Sequence, residues 1–298
     1  MKRKGWLVLP GILGLAFFVR AQGQQAPPPV ALVPVAGPVY MLEGGGGNIG
    51  VVADEAGLLM IDAMFERTAA GVLDAVKGLP GGGRVRLLVD THWHADHTDG
   101  NKAFASTAVI IAHENVRTLL AADQTLMGGT TKALPAEALP AITFADRMTI
   151  HAGGQAIRLV HFPRAHTGGD TVVFIDALKI VHMGDMFFNG MFPFLDVANG
   201  GDIVDWARDL DTILASLPAD ARIIPGHGPL GGAADLRAFR DMLTASADHV
   251  RKQMAAGKTL EEIQAAGLPP ALEPWAKGFM KGPRWLELVH SSLKNGKS

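Results

Sequence analysis

Beyond residue 38 the chain alternates short apolar runs of strand type with longer segments of helical period. Val39–Leu42, Asn48–Ala53 and Leu58–Asp62 are β-like runs separated by glycine turns. Glu66–Leu79 sets apolar residues at helical spacing and stops at Pro80-Gly81-Gly82-Gly83, which predicts a helix and its break. Val85–Val89 reads as a buried strand ending at Asp90, followed by a short helix over Lys102–Ala105, a strand over Val109–Ala112 and a helix over Glu114–Ala122. Gln124–Pro140 has no clear period and reads as a long loop, either a lid or a connector. Strands return at Ala141–Phe144, Met148–His151, Ile157–Phe162, Thr171–Ile175 and Ile180–Met183. An amphipathic helix over Ile203–Leu217, a strand over Arg222–Ile224 and a long helix over Leu236–Ala256 follow, with shorter helical patterns at Leu260–Ala266 and Trp285–Leu293. Strands followed by helices in both halves predict a mixed sheet, or two sheets, covered by helices. Val51–Asp62 and Val172–Asp185 echo one another as strand, turn, strand and aspartate, which is compatible with two similar halves.

The first residues follow a different rule. A basic start, Met1 to Lys4, precedes an apolar run from Trp6 to Val19, and Ala21-Gln22-Gly23 then supplies small residues for a cleavage site. That is the three-part layout of a secretory signal peptide, and the apolar run falls short of the ~20 residues that span a bilayer. The expected organisation is a signal peptide over residues 1–23, a Pro/Gln-rich linker over 24–38 and one domain over 39–298. The mature protein is expected to be periplasmic or secreted, with no stable membrane span after cleavage.

Composition narrows the function classes. Hydrophobic residues make up 48% of the 298 positions and charged residues 19%, which excludes a disordered chain. Lys2, Arg3, Lys4 and Arg20 belong to the leader, so the formal charge of −2 becomes −6 without them. Nucleic-acid binding rests on clustered positive charge and is not expected of such a domain. Cysteine is absent, so any metal site must be built from His, Asp and Glu.

Such a site is dense in Thr91-His92-Trp93-His94-Ala95-Asp96-His97, where four potential metal ligands fall just after a buried strand. In an extended segment His92 and His94 point the same way while Asp96 and His97 turn aside, so one loop can feed two adjacent ions. A single histidine there would read as a solvated loop residue; this density does not. Three further strand ends carry His166 (Ala165-His166-Thr167-Gly168-Gly169), Asp185 (His182-Met183-Gly184-Asp185) and His227 (Pro225-Gly226-His227-Gly228-Pro229). Each alone would pass for a turn residue.

The order His92-x-His94-x-Asp96-His97, then His166, Asp185 and His227, resembles the binuclear pattern of the metallo-β-lactamase superfamily at every ligand position, over about Val39 to Phe239. The resemblance implies an α/β fold, a four-layer αβ/βα sandwich of two mixed sheets between helices, with the metal site at one edge. It further implies that His92, His94 and His166 hold one metal, that Asp96, His97 and His227 hold a second, and that Asp185 bridges both. The expected cofactor is zinc, two ions per chain, because imidazole and carboxylate suit it and leave open positions. The expected activity is hydrolysis: a hydroxide held between the metals attacks the carbonyl of a β-lactam, lactone or related ester or amide, with Asp96 and Asp185 as catalytic residues.

The neighbourhood of the ligands bears on the substrate, expected to be a small molecule. Met186–Leu195 is a cluster of Phe and Met with no positive charge, read as part core and part apolar wall. Glutathione-thioester hydrolases resemble the chain in their ligands but carry basic residues hereabouts, and Arg164 is the one nearby cation in sequence. Asp185 stands where many zinc β-lactamases have Cys or Ser, so lactones and other esters fit at least as well as lactams. The alternatives are a glyoxalase-II-like thioesterase, a mono-iron sulfur dioxygenase, and a non-catalytic metal-binding module using the Phe/Met cluster as a partner surface. Of the other histidines, His161 and His182 are expected in the core or behind the ligands, and Gly44–Gly47 as a hairpin tip near the site.

Overall fold

The computed structural model describes residues 29–296. The leader expected over residues 1–23 lies outside them. The first half runs β1 (Ala31–Ala36), β2 (Val39–Glu43), β3 (Ile49–Val52), β4 (Leu58–Ile61), α1 (Ala69–Val76), β5 (Val85–Asp90), α2 (Ala95–Thr98), α3 (Asn101–Phe104), β6 (Val109–His113) and α4 (Glu114–Leu120). A hairpin of β7 (Gln124–Leu126) and β8 (Gly129–Thr131) precedes β9 (Ile142–Phe144). The second half runs β10 (Arg147–Ala152), β11 (Gln155–Phe162), β12 (Asp170–Ile175), β13 (Ile180–His182), α5 (Ile203–Ser216), β14 (Arg222–Ile224), β15 (Gly231–Gly232), α6 (Ala233–Ala255), α7 (Leu260–Ala266) and α8 (Gly282–Asn295).

Two sheets result. One has seven strands in the order β1-β2-β3-β4-β5-β6-β9, and the other has six in the order β10-β11-β12-β13-β14-β15. Both are mixed: β4, β5, β6 and β9 pair in parallel, as do β13 and β14, and the remaining pairs within these sheets are antiparallel. Alternation of side chains across each strand sorts the apolar residues into layers. Met41, Leu59, Ile61, Val89 and Ile111 of the first sheet meet Ile157, Leu159, Val173, Ile180 and Ile224 of the second in one core between the sheets. On the outer face of the first sheet, Leu42, Val51, Met60 and Leu88 pack against Val72 and Val76 of α1 and Phe104 of α3. On the outer face of the second, Val172, Phe174, Val181 and Ile223 pack against Trp206 of α5, Phe239 of α6 and Trp285 of α8. Both faces of both sheets are therefore buried, which gives the expected helix–sheet–sheet–helix order.

Two expectations change. Ala31–Ala36, inside the segment read as a linker, is a strand that pairs with β2 at the sheet edge. Pro34 is tolerated there because an edge strand leaves one row of backbone donors unused, and the register shifts just after it. Gln124–Pro140 is not a featureless loop, since it opens with the β7–β8 hairpin. Parallel strands β4 and β5 both end at the same rim, and the loops leaving β5, β11, β13 and β14 carry the histidine and aspartate candidates.

Candidate metal centre

All seven sequence-predicted ligands converge on this rim, in two groups whose donor atoms lie within 4.8 Å of one another: His92, His94, His166 and Asp185, and Asp96, His97 and His227. His92 lies in the bend that leaves β5, and His94, extended at φ −64° and ψ 144°, precedes α2. Asp96 and His97 then lie in that one-turn helix, and the His97 ring packs against the His92 ring with centroids 4.3 Å apart. His166 follows β11, Asp185 follows β13 in a short 3-10 turn, and His227 follows β14.

The Asp185 carboxylate is divided between the groups. Its Oδ2 lies 3.6 Å from His92 Nε2 and 3.4 Å from His166 Nε2, whereas its Oδ1 lies 3.0 Å from His97 Nε2 and 3.4 Å from His227 Nε2. Asp96 Oδ2 lies 3.2 Å from His227 Nε2 and 3.7 Å from His97 Nε2. His94 Nδ1 and His166 Nε2 approach to 2.9 Å. Imidazole lone pairs facing each other at such distances repel unless a cation or proton sits among them.

The opposite nitrogens of four of these rings are held by the protein. His166 Nδ1–H donates to the Phe194 carbonyl at 2.9 Å, and His97 Nδ1–H donates to Asp62 Oδ2 at 2.8 Å. His94 Nε2–H donates to Asp196 Oδ2 at 3.1 Å. Thr91 Oγ1 gives its proton to Asp62 Oδ2 at 2.8 Å, so its lone pair accepts from His92 Nδ1 at 3.1 Å. In the neutral ring, the form a metal ligand takes, each pairing fixes the tautomer and leaves the other nitrogen as a lone pair aimed inward. His92 Nε2 and Asp185 Oδ1 are buried without any hydrogen-bond partner. Buried acceptors of this kind are costly unless a ligand satisfies them, and an all-imidazole and carboxylate set suits a divalent metal of the zinc type. The residues present fit two metal ions.

Electrostatics follow the same division. Burial alone would raise the Asp185 and Asp96 carboxyls, but the neighbouring His97 and His227 outweigh it; Asp96 is held at about 2 and Asp185 well below its usual range. Burial pushes His92 down and His166 down to about 4, so both are neutral, as metal ligands must be. At His97 and His227 burial also opposes the charged form, yet Asp185 and Asp96 prevail, raising His227 to about 9.

The sequence pattern did not reveal Asp62, Asp196 and Asn48, which hold the ligands. Asp62 ends β4 with left-handed backbone (φ 66°) and binds Thr91 N as well as His97. Its only signal was its place in the strand–turn–strand echo. Asp196 accepts from Trp93 Nε1 and from His94. Asn48 Nδ2 donates to the carbonyls of Pro225 at 3.0 Å and Gly228 at 2.8 Å, clamping the turn that carries His227. His182 stands behind this clamp, its Nε2 3.2 Å from the Asn48 carbonyl. His161 stacks on His113 with ring centroids 3.4 Å apart, away from the centre.

The wall of the site also departs from expectation. A cavity of about 250 Å³ opens over the centre, lined by His94, Asp96, Asp185 and His227 together with Leu126, Met127, Phe194 and Phe279. Of the Met186–Leu195 cluster only Phe194 reaches it; Met186, Phe187, Phe188, Phe192 and Leu195 are buried in the helix-covered core. Arg164 is not near it: its guanidinium pairs with Asp202 at 3.0 Å and Asp205 at 2.8 Å and lines a different surface cavity.

The relatives agree with this architecture. A family model described as the metallo-beta-lactamase superfamily matches residues 42–227. The metallo-beta-lactamase type 2 of Bacteroides fragilis is 24% identical over 171 residues, which cover 57% of this chain and 62% of that protein. The match thus spans less than two thirds of that relative's own length. Among solved structures, a metallo-beta-lactamase from Pontibacter korlensis superposes with a TM-score of 0.59 at 21% identity, covering 72% of this chain and 99% of that one. A stereoselective inverting sec-alkylsulfatase from Pseudomonas sp. superposes with a TM-score of 0.67 at 17% identity, covering 89% of this chain and 50% of that one. Matched over more than half its length by the family model and folded into the same two-sheet sandwich, the chain belongs to the metallo-β-lactamase superfamily.

Proposed function

We propose that the protein is an exported zinc-dependent hydrolase that cleaves an uncharged lactone, ester or lactam of a small molecule. The observation that carries the reading is Asp185, whose two oxygens face two separate histidine groups at 3.0–3.6 Å. His92, His94 and His166 would hold one ion, Asp96, His97 and His227 the other, with Asp185 shared. Zinc bound in such a pair supplies Lewis acidity toward a carbonyl oxygen and lowers the pKa of water to about 7.

The chain's own groups supply the rest. Asp96 is ionised throughout the neutral range and its side chain is 29% exposed, the most open carboxylate of the centre, so it can accept a proton from water and hold its orientation. Leu126, Met127, Phe194 and Phe279 exclude solvent from one side and offer no cation to a substrate carboxylate. A glutathione thioester carries carboxylates that would stay unpaired there, at a cost of several kcal/mol each if buried. Export is supported by the leader pattern of residues 1–23, and no helix among the described residues is long and apolar enough to cross a membrane.

The test is to load the mature protein with zinc, measure its metal content, and compare kcat/KM across lactams, lactones, aryl esters, glutathione thioesters, aryl phosphodiesters and alkyl sulfates. Close to two zinc ions and fastest turnover of an uncharged carbonyl substrate are expected. One iron and no zinc in protein from its native source, or a preference for thioesters, would overturn the reading.

A further inference from the structure

Six large apolar side chains stand exposed among the described residues, and the two most exposed are Met127 at 57% and Phe279 at 55%. They come from segments far apart in the chain, yet both line the cavity over the metal centre, on a wall shared with His94, Asp96, Asp185 and His227. An exposed apolar side chain alone needs no explanation, but two lining one functional cavity do.

Each is held there by its own segment. Met127 occupies the tip of the β7–β8 hairpin, where Leu126 pairs with Gly129 and the turn takes φ 51° at Met127 and φ 80° at Gly128. Such a turn favours Asn or Gly at its first position, and a methionine with left-handed backbone is unfavourable. A strained backbone at a site wall points to a use for the side chain it carries. Phe279 lies beyond the residues that the family model matches. Its segment is fixed by the buried Met280 and by Phe192 N–H donating to the Trp275 carbonyl at 2.8 Å. The Phe279 ring lies 6.5 Å from the Phe188 ring, which in turn stacks at 4.9 Å on His227. An apolar path thus runs from the outer jaw to a candidate ligand.

Resting on the hydrolase reading, we infer that Met127 and Phe279 are opposed jaws that grip an uncharged alkyl or aryl substituent next to the scissile bond, and so select apolar-substituted substrates. Neither touches the reacting atoms; they decide which substrates bind. No lysine or arginine lines the cavity, whose two histidines belong to the candidate metal centre. A carboxylate-bearing substituent would therefore find no lysine or arginine partner between the jaws.

The test uses the zinc-loaded mature protein and n-alkyl hydroxamates from acetohydroxamate to hexanohydroxamate, which share one metal-binding head and differ only in chain length. In the wild type, Kd is expected to fall about two- to fourfold per added methylene. Met127→Ser and Phe279→Ser should each flatten that dependence to below about 1.5-fold per methylene while leaving acetohydroxamate affinity and Tm nearly unchanged. Met127→Leu and Phe279→Leu should restore it. Acetohydroxamate binding with a flat wild-type series, or a steep series that survives both serine substitutions, overturns the jaws alone. Failure of acetohydroxamate to bind zinc-loaded wild type overturns the metallohydrolase reading and the jaws with it.

Discussion

Asp196 Oδ2 lies 3.1 Å from His94 Nε2 and equally 3.1 Å from Trp93 Nε1, so one buried carboxylate orients two consecutive side chains of the motif loop. Because His94 donates its Nε2 proton to Asp196, its Nδ1 faces His166 and the centre, whereas the other imidazoles held by the protein turn Nε2 inward. Asn199 donates to both Asp196 oxygens at 3.0 Å and holds the carboxylate in place. Groups of this kind typically contribute 10–100-fold to metal affinity. Asp196→Ala should therefore weaken zinc binding by about that factor in a chelator competition, with near-unchanged far-UV circular dichroism. Unaltered affinity would show that His94 needs no such partner.

Asn48 acts on the other metal group. Its side-chain amide is buried and gives both protons to backbone carbonyls flanking His227, tying β3 of the first sheet to the β14 loop of the second. Removing it leaves the Pro225 and Gly228 carbonyls without these donors, at about 1–3 kcal/mol. In Asn48→Ala, the zinc content should drop from two ions toward one per chain, as measured by elemental analysis after dialysis. Loss of both ions together would mean that the two groups are not separable.

These holding groups explain how far the sequence could be read. The four potential ligands within Thr91–His97 were legible because they lie within one loop, and the three strand-end ligands because glycines flank each of them. Asp196 reaches His94 from 102 residues away and Asn48 reaches the Pro225 and Gly228 carbonyls from 177 and 180, a closeness that the packing of two sheets creates, whereas Asp62 reaches His97 from 35 residues away through the pairing of β4 with β5. The strands were legible where short apolar runs were bounded by Gly, Pro or Asp, as at Val85–Val89 before Asp90 and Ile157–Phe162 before Pro163. The β7–β8 hairpin escaped because Met127 occupies a turn position where Asn or Gly would have signalled it. Strand β1 escaped because prolines surround it, and β15 because it consists of two glycines.

Gly47 shows how closely the hairpin tip beside the site is fitted. A Cβ at this position would fall inside the van der Waals surface of the His97 ring, whose Nδ1 is fixed by Asp62. Neither the ring nor the tip can yield without loss, since Gly47 N–H also donates to the Asp96 carbonyl at 2.9 Å. Gly47→Ala should reduce activity at least tenfold and lower zinc occupancy, whereas Gly128→Ala, whose added Cβ meets nothing within 4 Å, should keep both ions. Equal metal content in the two variants would remove the steric argument.

A last prediction concerns pH and lies away from the metals. His161 and His113 stack at 3.4 Å with rings 13° from parallel. Burial pushes His161 down to about 4, and the neighbouring His113 adds to the effect, against the Asp170 carbonyl at 3.1 Å and the charge of Asp146, which favour its protonation. Burial lowers His113 as well, and its Nδ1 accepts from Asn115 N at the start of α4 while its Nε2 donates to the Ala145 carbonyl. The folded chain therefore prefers this pair neutral, whereas the unfolded chain takes up its protons near pH 6.5. The unfolded state binds more protons between those values, so stability is fully present above pH 6.5 and is lost as pH falls through about 4. Candidate ligands with lowered values, His92 and His166, give the whole protein a similar slope, so a comparison of variants is required. His161→Phe keeps a ring against His113 and removes one of the titrating groups. Its Tm should lie closest to, or above, that of wild type at pH 4.5, and fall furthest below it at pH 8, where the wild type retains its bond to the Asp170 carbonyl. A Tm difference independent of pH across this interval would show that His161 is not held neutral by its surroundings.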